Sequence, residues 1–177
     1  AIPVGKTRCS EFAVHKPTGT LNPRYLDREP GTSSSGSASA VANGEISLAL
    51  GTQTAGSISK PASYCGVIGF KPSFGDIPRT GILKTTELFD TVGFIGRRVA
   101  DLHFVYDAVK IGGRDHPIHE RNRAHFYQKD FDSIYVLSGN NIDDLDEELQ
   151  VSFKNFLDFL KDSLKLEFKS LPSLDFL

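Results

Sequence analysis

The run of small residues from 31 to 57 constrains the fold more than any other feature of this 177-residue sequence. Of its 27 residues, 20 are Gly, Ala, Ser or Thr, and one is charged. A flexible linker can have such a composition, but linkers lack periodic aliphatic residues. Here Ala38 and Val41 recur at helical spacing, while Leu48 and Leu50 alternate as in a strand. We therefore predict a turn, a short helix, a strand and a second turn, packed too closely for large side chains.

The rest of the chain predicts further helices and strands. Glycines and prolines break every candidate helix in residues 58–98, which leaves short extended pieces. Residues 99–111 have the apolar spacing of a helix. Residues 133–177 predict strand, helix and strand, a βαβ-like unit whose helix runs from Ile142 to Leu164. The predicted class is α/β, with a mixed β-sheet covered by helices.

Composition and charge argue against several classes of partner. Lys plus Arg number 20 and Asp plus Glu number 22, so the formal net charge of -2 gives no reason to expect nucleic acid or an anionic membrane. No apolar run approaches the ~20 residues of a membrane helix. The acidic residues at 143–148 suit a helix N-terminus better than a metal site, because the spacing of a calcium loop is missing. We expect no metal and no cofactor.

The two cysteines and the start of the chain carry further expectations. Cys9 and Cys65 are too few for a disulfide framework, so each is expected to be a buried small hydrophobe in a reducing, cytoplasmic compartment. The sequence contains no methionine, begins at Ala1 and has no visible signal or transit segment. We therefore expect an internal fragment of a longer protein.

Two serine-rich turns, residues 31–37 and 51–57, could carry chemistry. A serine hydroxyl is a poor nucleophile at neutral pH and needs a proton acceptor within hydrogen-bond reach. It also needs backbone N–H groups directed at the oxygen that becomes negative in the transition state. A tight Gly/Ala turn before a serine can supply these groups, because no bulky side chain blocks the approach. The spacing alone leaves open that both turns are merely close-packed, with structural hydroxyls.

The sequence of these turns resembles the amidase signature family. Residues 31–38, GTSSSGSA, are similar to its Gly-Gly-Ser-Ser-Gly-Gly-Ser stretch, and residues 50–58, LGTQTAGSI, to its Leu-Gly-Thr-Asp-Thr-Gly-Gly-Ser-Ile. Residues 61–72 continue in register with its Pro-Ala-x-x-Cys-Gly-x-x-Gly-x-Lys-Pro. The likeness is dense over 31–111 and thinner on either side. It implies that residues 1–177 are part of one amidase-signature domain.

The resemblance also implies a Ser–Ser–Lys triad. Ser57 falls on the nucleophile, and Ser33 falls on the bridging serine, which the family holds in a cis peptide linkage. Thr54, Ala55, Gly56 and Ser57 match the turn whose backbone N–H groups form the oxyanion hole. In the implied mechanism a neutral lysine takes the Ser33 proton and Ser33 takes that of Ser57. Ser57 then attacks an amide carbonyl, and water hydrolyses the acyl-enzyme.

Three departures from the family pattern affect this expectation. The family's catalytic lysine lies well upstream of the bridging serine, before the first residue of this chain, and Lys6 is not that base. Gln53 replaces the usual Asp, and Ala55 replaces a Gly. The pair at 59–60, Ser-Lys, stands where Arg is common. We therefore expect this chain alone to lack one catalytic group and to be inactive without the missing segment.

The function implied is hydrolysis of the C–N bond of a small-molecule carboxamide by a cytoplasmic enzyme, for which a homo-oligomer is possible. Two other enzymatic roles stay open, the A-type subunit of a glutamyl-tRNA amidotransferase and an allophanate hydrolase. A third alternative is a catalytically silent fragment that lacks the lysine. His15 and His103 match no family role, and each is expected to be solvent-facing or structural.

Overall fold

The computed structural model describes residues 2–14, 16–111, 133–137, 145–164 and 167–171. Contacts within the chain divide it into two compact units, Ala1–His116 and Pro117–Leu177. The helices and strands of the first unit are α1 (Ser35–Ala42), β1 (Leu48–Gln53), α2 (Ser59–Tyr64), β2 (Ile68–Phe70), β3 (Thr91–Gly96) and α3 (Val99–Val109). Those of the second unit are β4 (Ser133–Leu137), α4 (Glu147–Leu164) and β5 (Glu167–Leu171).

The first unit is built around a three-stranded antiparallel sheet in the order β1–β3–β2. Phe94 of the central strand lies opposite Leu50 of β1 on one side and Phe70 of β2 on the other. Every residue of β3 is buried. Successive side chains of a strand point to opposite faces, so β3 contributes apolar side chains to both faces of the sheet.

Two apolar clusters pack helices against this sheet. One joins α1 and α2 to the strands and contains Ala38, Val41, Ala49, Ile58, Ala62, Cys65 and Ile95. The other joins α3 to the strands and contains Ile77, Val92, Phe94 and Leu102. Since Phe94 and Ile95 are adjacent in β3, the two clusters lie on opposite faces of the sheet. The predicted α/β class with helices covering the sheet is confirmed.

The small residues of 31–57 allow backbones to approach one another closely. A Cβ atom at Gly36 would lie 2.5 Å from the backbone nitrogen of Arg8. Gly31 has φ +78°, and a Cβ atom there would lie 2.8 Å from the Cα of Pro61. The helix and strand predicted within this run are present as α1 and β1. The composition therefore reflects packing rather than a flexible linker.

Two predictions about this unit are wrong. Residues 58–98 contain the helix α2, which includes Pro61. Proline is tolerated in the first turn of a helix, because the N–H that it lacks has no intrahelical acceptor there. Cys9 is exposed, since it lies in an irregular N-terminal segment whose residues 2–9 are all exposed. Cys65 is buried in the core, as predicted.

The second unit contains a parallel pair of strands. Ile134 of β4 lies opposite Phe168 of β5, and α4 lies between the two strands in sequence, which is the order of a βαβ unit. The predicted helix end at Leu164 is confirmed, whereas its predicted start at Ile142 lies outside the described residues. Two acidic residues occupy the first turn of α4, where the positive end of the helix dipole stabilises their negative charge. None of the helices in these ranges is both long and apolar enough to cross a membrane.

Candidate active site

The second serine-rich turn connects the end of β1 to the start of α2. Ile58, directly after Ser57, is fully buried in the apolar cluster beneath the turn. Its side chain fits against two glycines of the neighbouring strands: a Cβ atom would lie 3.1 Å from Ile58 Cγ2 at Gly69 and 2.8 Å from Ile58 Cδ1 at Gly93. The packing of Ile58 therefore fixes the position of Ser57.

The fold brings the two serine-rich turns into direct contact. The backbone N–H of Ser34 donates to the carbonyl oxygen of Ser57, with an N···O distance of 3.2 Å. Ser33 and Ser57 are 3% and 8% exposed, respectively. The peptide bond between Thr32 and Ser33 is cis, the conformation that the resemblance implies. Two segments that are 24 residues apart in the numbering thus form one small region of the structure.

The hydroxyl groups of Ser33 and Ser57 form no hydrogen bond with any residue that the structure describes. The backbone around Ser33 is nevertheless held firmly, because the N–H of Ser10 donates to the Ser33 carbonyl at 3.3 Å. Direct proton transfer between the two hydroxyls would require them to come within hydrogen-bond reach of each other. It would also require a base, and no lysine amine in the described ranges hydrogen-bonds to either serine.

Other serines of the first turn have structural hydroxyls. Ser37 Oγ donates to the Leu50 carbonyl at 2.7 Å, and Ser34 Oγ lies 3.4 Å from the backbone nitrogen of Thr52. A Cβ atom at Gly51 would lie 2.9 Å from Ser34 Oγ, so that glycine makes room for the contact. The hydroxyls of Ser34 and Ser37 therefore have a structural role, because both hold the first turn against β1. For these two serines, the structural alternative that the spacing leaves open is the correct one.

The turn before Ser57 presents unpaired backbone donors. The N–H groups of Ala55, Gly56 and Ser57 donate no hydrogen bond to any residue in the described part of the chain. They lie just before α2, and the N–H groups at the start of a helix have no intrahelical acceptor. Such groups can stabilise an oxygen on which negative charge develops.

Ser57 lines a cleft beside the turn. Most of its lining comes from residues 79–92 and includes the basic residues Arg79 and Lys84 and the apolar residue Leu83. Both basic side chains are paired with the same carboxylate oxygen: Arg79 Nη2 and Lys84 Nζ lie 3.1 Å and 3.3 Å from Glu87 Oε1. The cleft therefore exposes the candidate nucleophile to a wall that is partly charged and partly apolar.

Asp90, directly before β3, holds Thr54 of the turn in place. Thr54 Oγ1 donates to Asp90 Oδ1, and the N–H of Thr86 donates to Oδ2 at 2.8 Å. Thr85 donates to the same carboxylate through its N–H and its hydroxyl. Burial alone would raise the pKa of Asp90, but the hydrogen bonds from Thr54, Thr86 and Thr85 outweigh it and lower the pKa from 3.8 to about 2. Asp90 is thus a positioning residue that the sequence did not assign.

We expect Asp90→Asn to destabilise the chain by about 1–2 kcal/mol at neutral pH, because the amide cannot accept all of these hydrogen bonds. A lowered native pKa gives stability that is fully present above the unfolded value of 3.8 and is lost as the pH falls to about 2. The difference between the two proteins should therefore shrink over that range. Urea unfolding at several pH values measures it, and a difference that stays constant down to pH 2 would contradict the assignment.

Other candidate groups in the described ranges do not join this site. Burial raises the pKa of the Cys65 thiol, although Arg24 opposes the shift, so Cys65 is a poor nucleophile. His103 lies on an exposed part of α3, with Nε2 3.1 Å from Asp107 Oδ2, so the expectation of a solvent-facing residue is confirmed. His15 lies outside the described residues. Within those ranges no cluster of three or more His, Cys, Asp or Glu side chains is placed to hold a metal ion.

The chain is similar to known proteins over nearly its whole length. The family model described as Amidase matches residues 1–168. The chain belongs to the amidase family. The family model extends across both compact units.

Solved and curated amidase-family proteins support this assignment. The chain is 44% identical over 119 residues to the A subunit of glutamyl-tRNA(Gln) amidotransferase from Clostridium botulinum (strain Eklund 17B / Type B), covering 64% of this chain and 24% of that protein. The crystal structure of the corresponding Thermotoga maritima protein matches with a TM-score of 0.76 and 32% identity, covering 96% of this chain and 40% of that one. Native peptide amidase from Stenotrophomonas maltophilia matches with a TM-score of 0.73 and 28% identity, covering 95% and 38%.

These matches establish the fold and define how much of it is present. The predicted amidase-signature-type α/β core is confirmed by both solved structures. The chain spans 24% of the length of the Clostridium relative and 40% and 38% of the two solved chains.

Proposed function

We propose that this amidase-family chain carries the nucleophile, the bridging serine and the oxyanion hole of an enzyme that hydrolyses a carboxamide C–N bond. The observation that carries the proposal is the turn at 54–57, where unpaired backbone N–H groups stand beside a serine that opens onto a cleft. In this role Ser57 is the nucleophile, and Ser33 relays its proton. The oxyanion hole is formed by the N–H groups of Thr54, Ala55, Gly56 and Ser57.

The proposed reaction proceeds through an acyl-enzyme. A neutral lysine amine outside the described residues accepts the Ser33 proton, and Ser33 accepts the proton of Ser57 as its oxygen attacks the carbonyl carbon. The carbonyl oxygen becomes negative and is stabilised by the N–H groups of the turn. The proton returns through Ser33 to the amide nitrogen, the C–N bond breaks, and ammonia or an amine leaves. Water then attacks the ester, which releases the carboxylic acid and restores Ser57.

Several further properties belong to the same proposal. Residues 1–177 would be part of one amidase-signature domain in a cytoplasmic enzyme that acts on a small-molecule amide without a cofactor or direct contact with nucleic acid. A homo-oligomer is compatible with this role. A chain that lacks the lysine would be silent by itself, and an allophanate hydrolase would use the same serine chemistry.

A second candidate function is that of an amidotransferase A-type subunit. The observation that favours it is that the solved Thermotoga maritima protein of that name is 32% identical over 96% of this chain, against 28% over 95% for the peptide amidase. In that role the ammonia released from glutamine would pass to partner subunits that act on glutamyl-tRNA. Glutamine hydrolysis that rises on addition of such partners would favour this role over a free-standing amidase.

The proposal is tested by covalent labelling with a fluorophosphonate, which reacts with activated serines. We expect the natural protein that contains this chain to gain one adduct, found by mass spectrometry on the peptide with Ser57. The chain of residues 1–177 alone should stay unlabelled, because none of its described lysine amines hydrogen-bonds to Ser33 or Ser57. Labelling of a peptide without Ser57 would overturn the site assignment.

A further inference from the structure

The side chain of Gln53 connects the turn at 54–57 to the residues that follow it. Gln53 Nε2 donates to the carbonyl oxygen of Ala55 at 3.0 Å. Gln53 Oε1 accepts from the N–H groups of Ile58 and Ser59 at 2.8 Å and 2.9 Å. Since Gln53 is only 8% exposed, these bonds are largely shielded from competing water.

The orientation of this amide follows from its partners. The N–H groups of Ile58 and Ser59 can only donate, so the atom that faces them must be the carbonyl oxygen of Gln53. The nitrogen of the side chain therefore faces the Ala55 carbonyl, which can only accept. A carboxylate at position 53 could accept the same two N–H groups, but it could not donate to Ala55.

The bond to the Ala55 carbonyl also orients a donor of the turn. Ala55 C=O and Gly56 N–H belong to one planar peptide unit, and in a trans peptide they point in opposite directions. When Gln53 holds the carbonyl on its side, the Gly56 N–H points away from Gln53. That N–H has no partner among the residues that the structure describes.

We propose that Gln53 is a positioning residue that sets the direction of the Gly56 N–H in the oxyanion hole. The proposal rests on the proposed function, because it assigns a purpose to the same turn. Gln53 and Ala55 are also two of the positions at which this chain departs from the family pattern, and they contact each other. The side-chain nitrogen that glutamine has and aspartate lacks thus binds the carbonyl of Ala55, which stands where the family has glycine.

The test is Gln53→Glu in the natural protein, with the rate of fluorophosphonate labelling at Ser57 as the readout. The phosphonyl oxygen of this probe becomes negative as Ser57 attacks, so it needs the same N–H groups as an amide substrate. An ionised glutamate keeps the acceptor and loses the donor. We expect labelling to slow by about 10- to 100-fold at pH 8.

The pH profile distinguishes positioning from a general structural role. A protonated glutamate can again donate to the Ala55 carbonyl, and the N–H groups of Ile58 and Ser59 favour its ionised form, so the ratio of variant to wild-type labelling rates should rise only as the pH is lowered from about 6 to about 4. The groups that contact Gln53 are the backbone of Ala55, the backbone of Ile58, and the N–H and hydroxyl of Ser59. None of them titrates in this range, so the change in ratio would report on residue 53 itself.

Gln150→Glu is the matched control, since Gln150 lies exposed on α4 and also donates to a backbone carbonyl, that of Leu145. It should label at the wild-type rate at every pH. A Gln53→Glu rate that equals wild type, or a loss that does not change with pH, overturns the proposal. If Gln53→Glu does not fold, Gln53→Met removes the donor to the Ala55 carbonyl without adding a charge, and a wild-type rate for it is equally contradictory. Failure of the proposed function is separate, because then wild type itself is not labelled at Ser57.

Discussion

Ser57→Ala is expected to reduce amide hydrolysis by the natural protein by about 10⁴-fold or more, the scale on which removal of a serine nucleophile acts. On the proposed function, the acyl-enzyme cannot form without the Ser57 oxygen, while the turn that would stabilise the oxyanion stays in place. Ser57 opens onto the cleft and Ile58 anchors the backbone beside it, so the loss of one oxygen should leave the fold intact. Release of ammonia or amine from a carboxamide measures the effect.

Ser63→Ala is the control for this variant. Ser63 lies on the exposed side of α2, a few residues beyond the turn, and it loses the same hydroxyl. It should hydrolyse the amide at the wild-type rate, and both variants should unfold at the wild-type urea concentration. Hydrolysis that persists in Ser57→Ala would refute the nucleophile assignment, and an equal loss in Ser63→Ala would trace the effect to α2.

Gly93→Ala should destabilise the first unit by about 3 kcal/mol or more, because the added carbon has no space. Its Cβ atom would lie 2.2 Å from the carbonyl oxygen of Phe70 and 2.8 Å from Cδ1 of Ile58. The first contact is with the backbone of β2, so a side-chain rotation cannot relieve it. Either β2 separates from β3, or the cluster around Ile58 is displaced together with the turn that follows β1.

Urea unfolding of residues 1–177, followed by circular dichroism, measures this loss. Gly5→Ala is the matched substitution, since a Cβ atom at Gly5 would have no heavy atom within 4 Å. It should shift the unfolding midpoint by no more than a surface change does. A Gly93→Ala protein with the wild-type midpoint would show that β2 and β3 are not packed at this distance.

The sequence by itself determined the elements of the small-residue run and the family. The helical spacing of Ala38 and Val41 predicted α1 and its buried side correctly, because periodicity within a helix reports which side faces the core. The alternation of Leu48 and Leu50 predicted the strand β1 but not its buried side, since Ala49 lies in the core and Leu50 is exposed. The ordered motifs across 31–111 indicated the amidase family, which the match over residues 1–168 shows. The roles of Ser33 and Ser57 stay a prediction, although the fold brings their backbones together.

Prediction from the local sequence failed at residues whose effect on structure depends on their position within an element. Local rules predict that Pro61 breaks a helix, yet it lies in the first turn of α2, where proline costs no hydrogen bond. Gln53 departs from the family pattern, and its contacts explain how an amide replaces a carboxylate there. Its oxygen fulfils the acceptor role at the start of α2, and its nitrogen adds a donor.

Only the tertiary structure decided how the turn at 54–57 is held. The contact between Thr54 and Asp90 joins residues 36 positions apart, and the cleft wall at 79–92 reaches Ser57 from a different part of the chain. Such contacts depend on how β3 inserts between β1 and β2, which makes neighbours of strands that are distant in sequence. Periodicity describes one element at a time, so it contains no information about which side chains from separate elements meet.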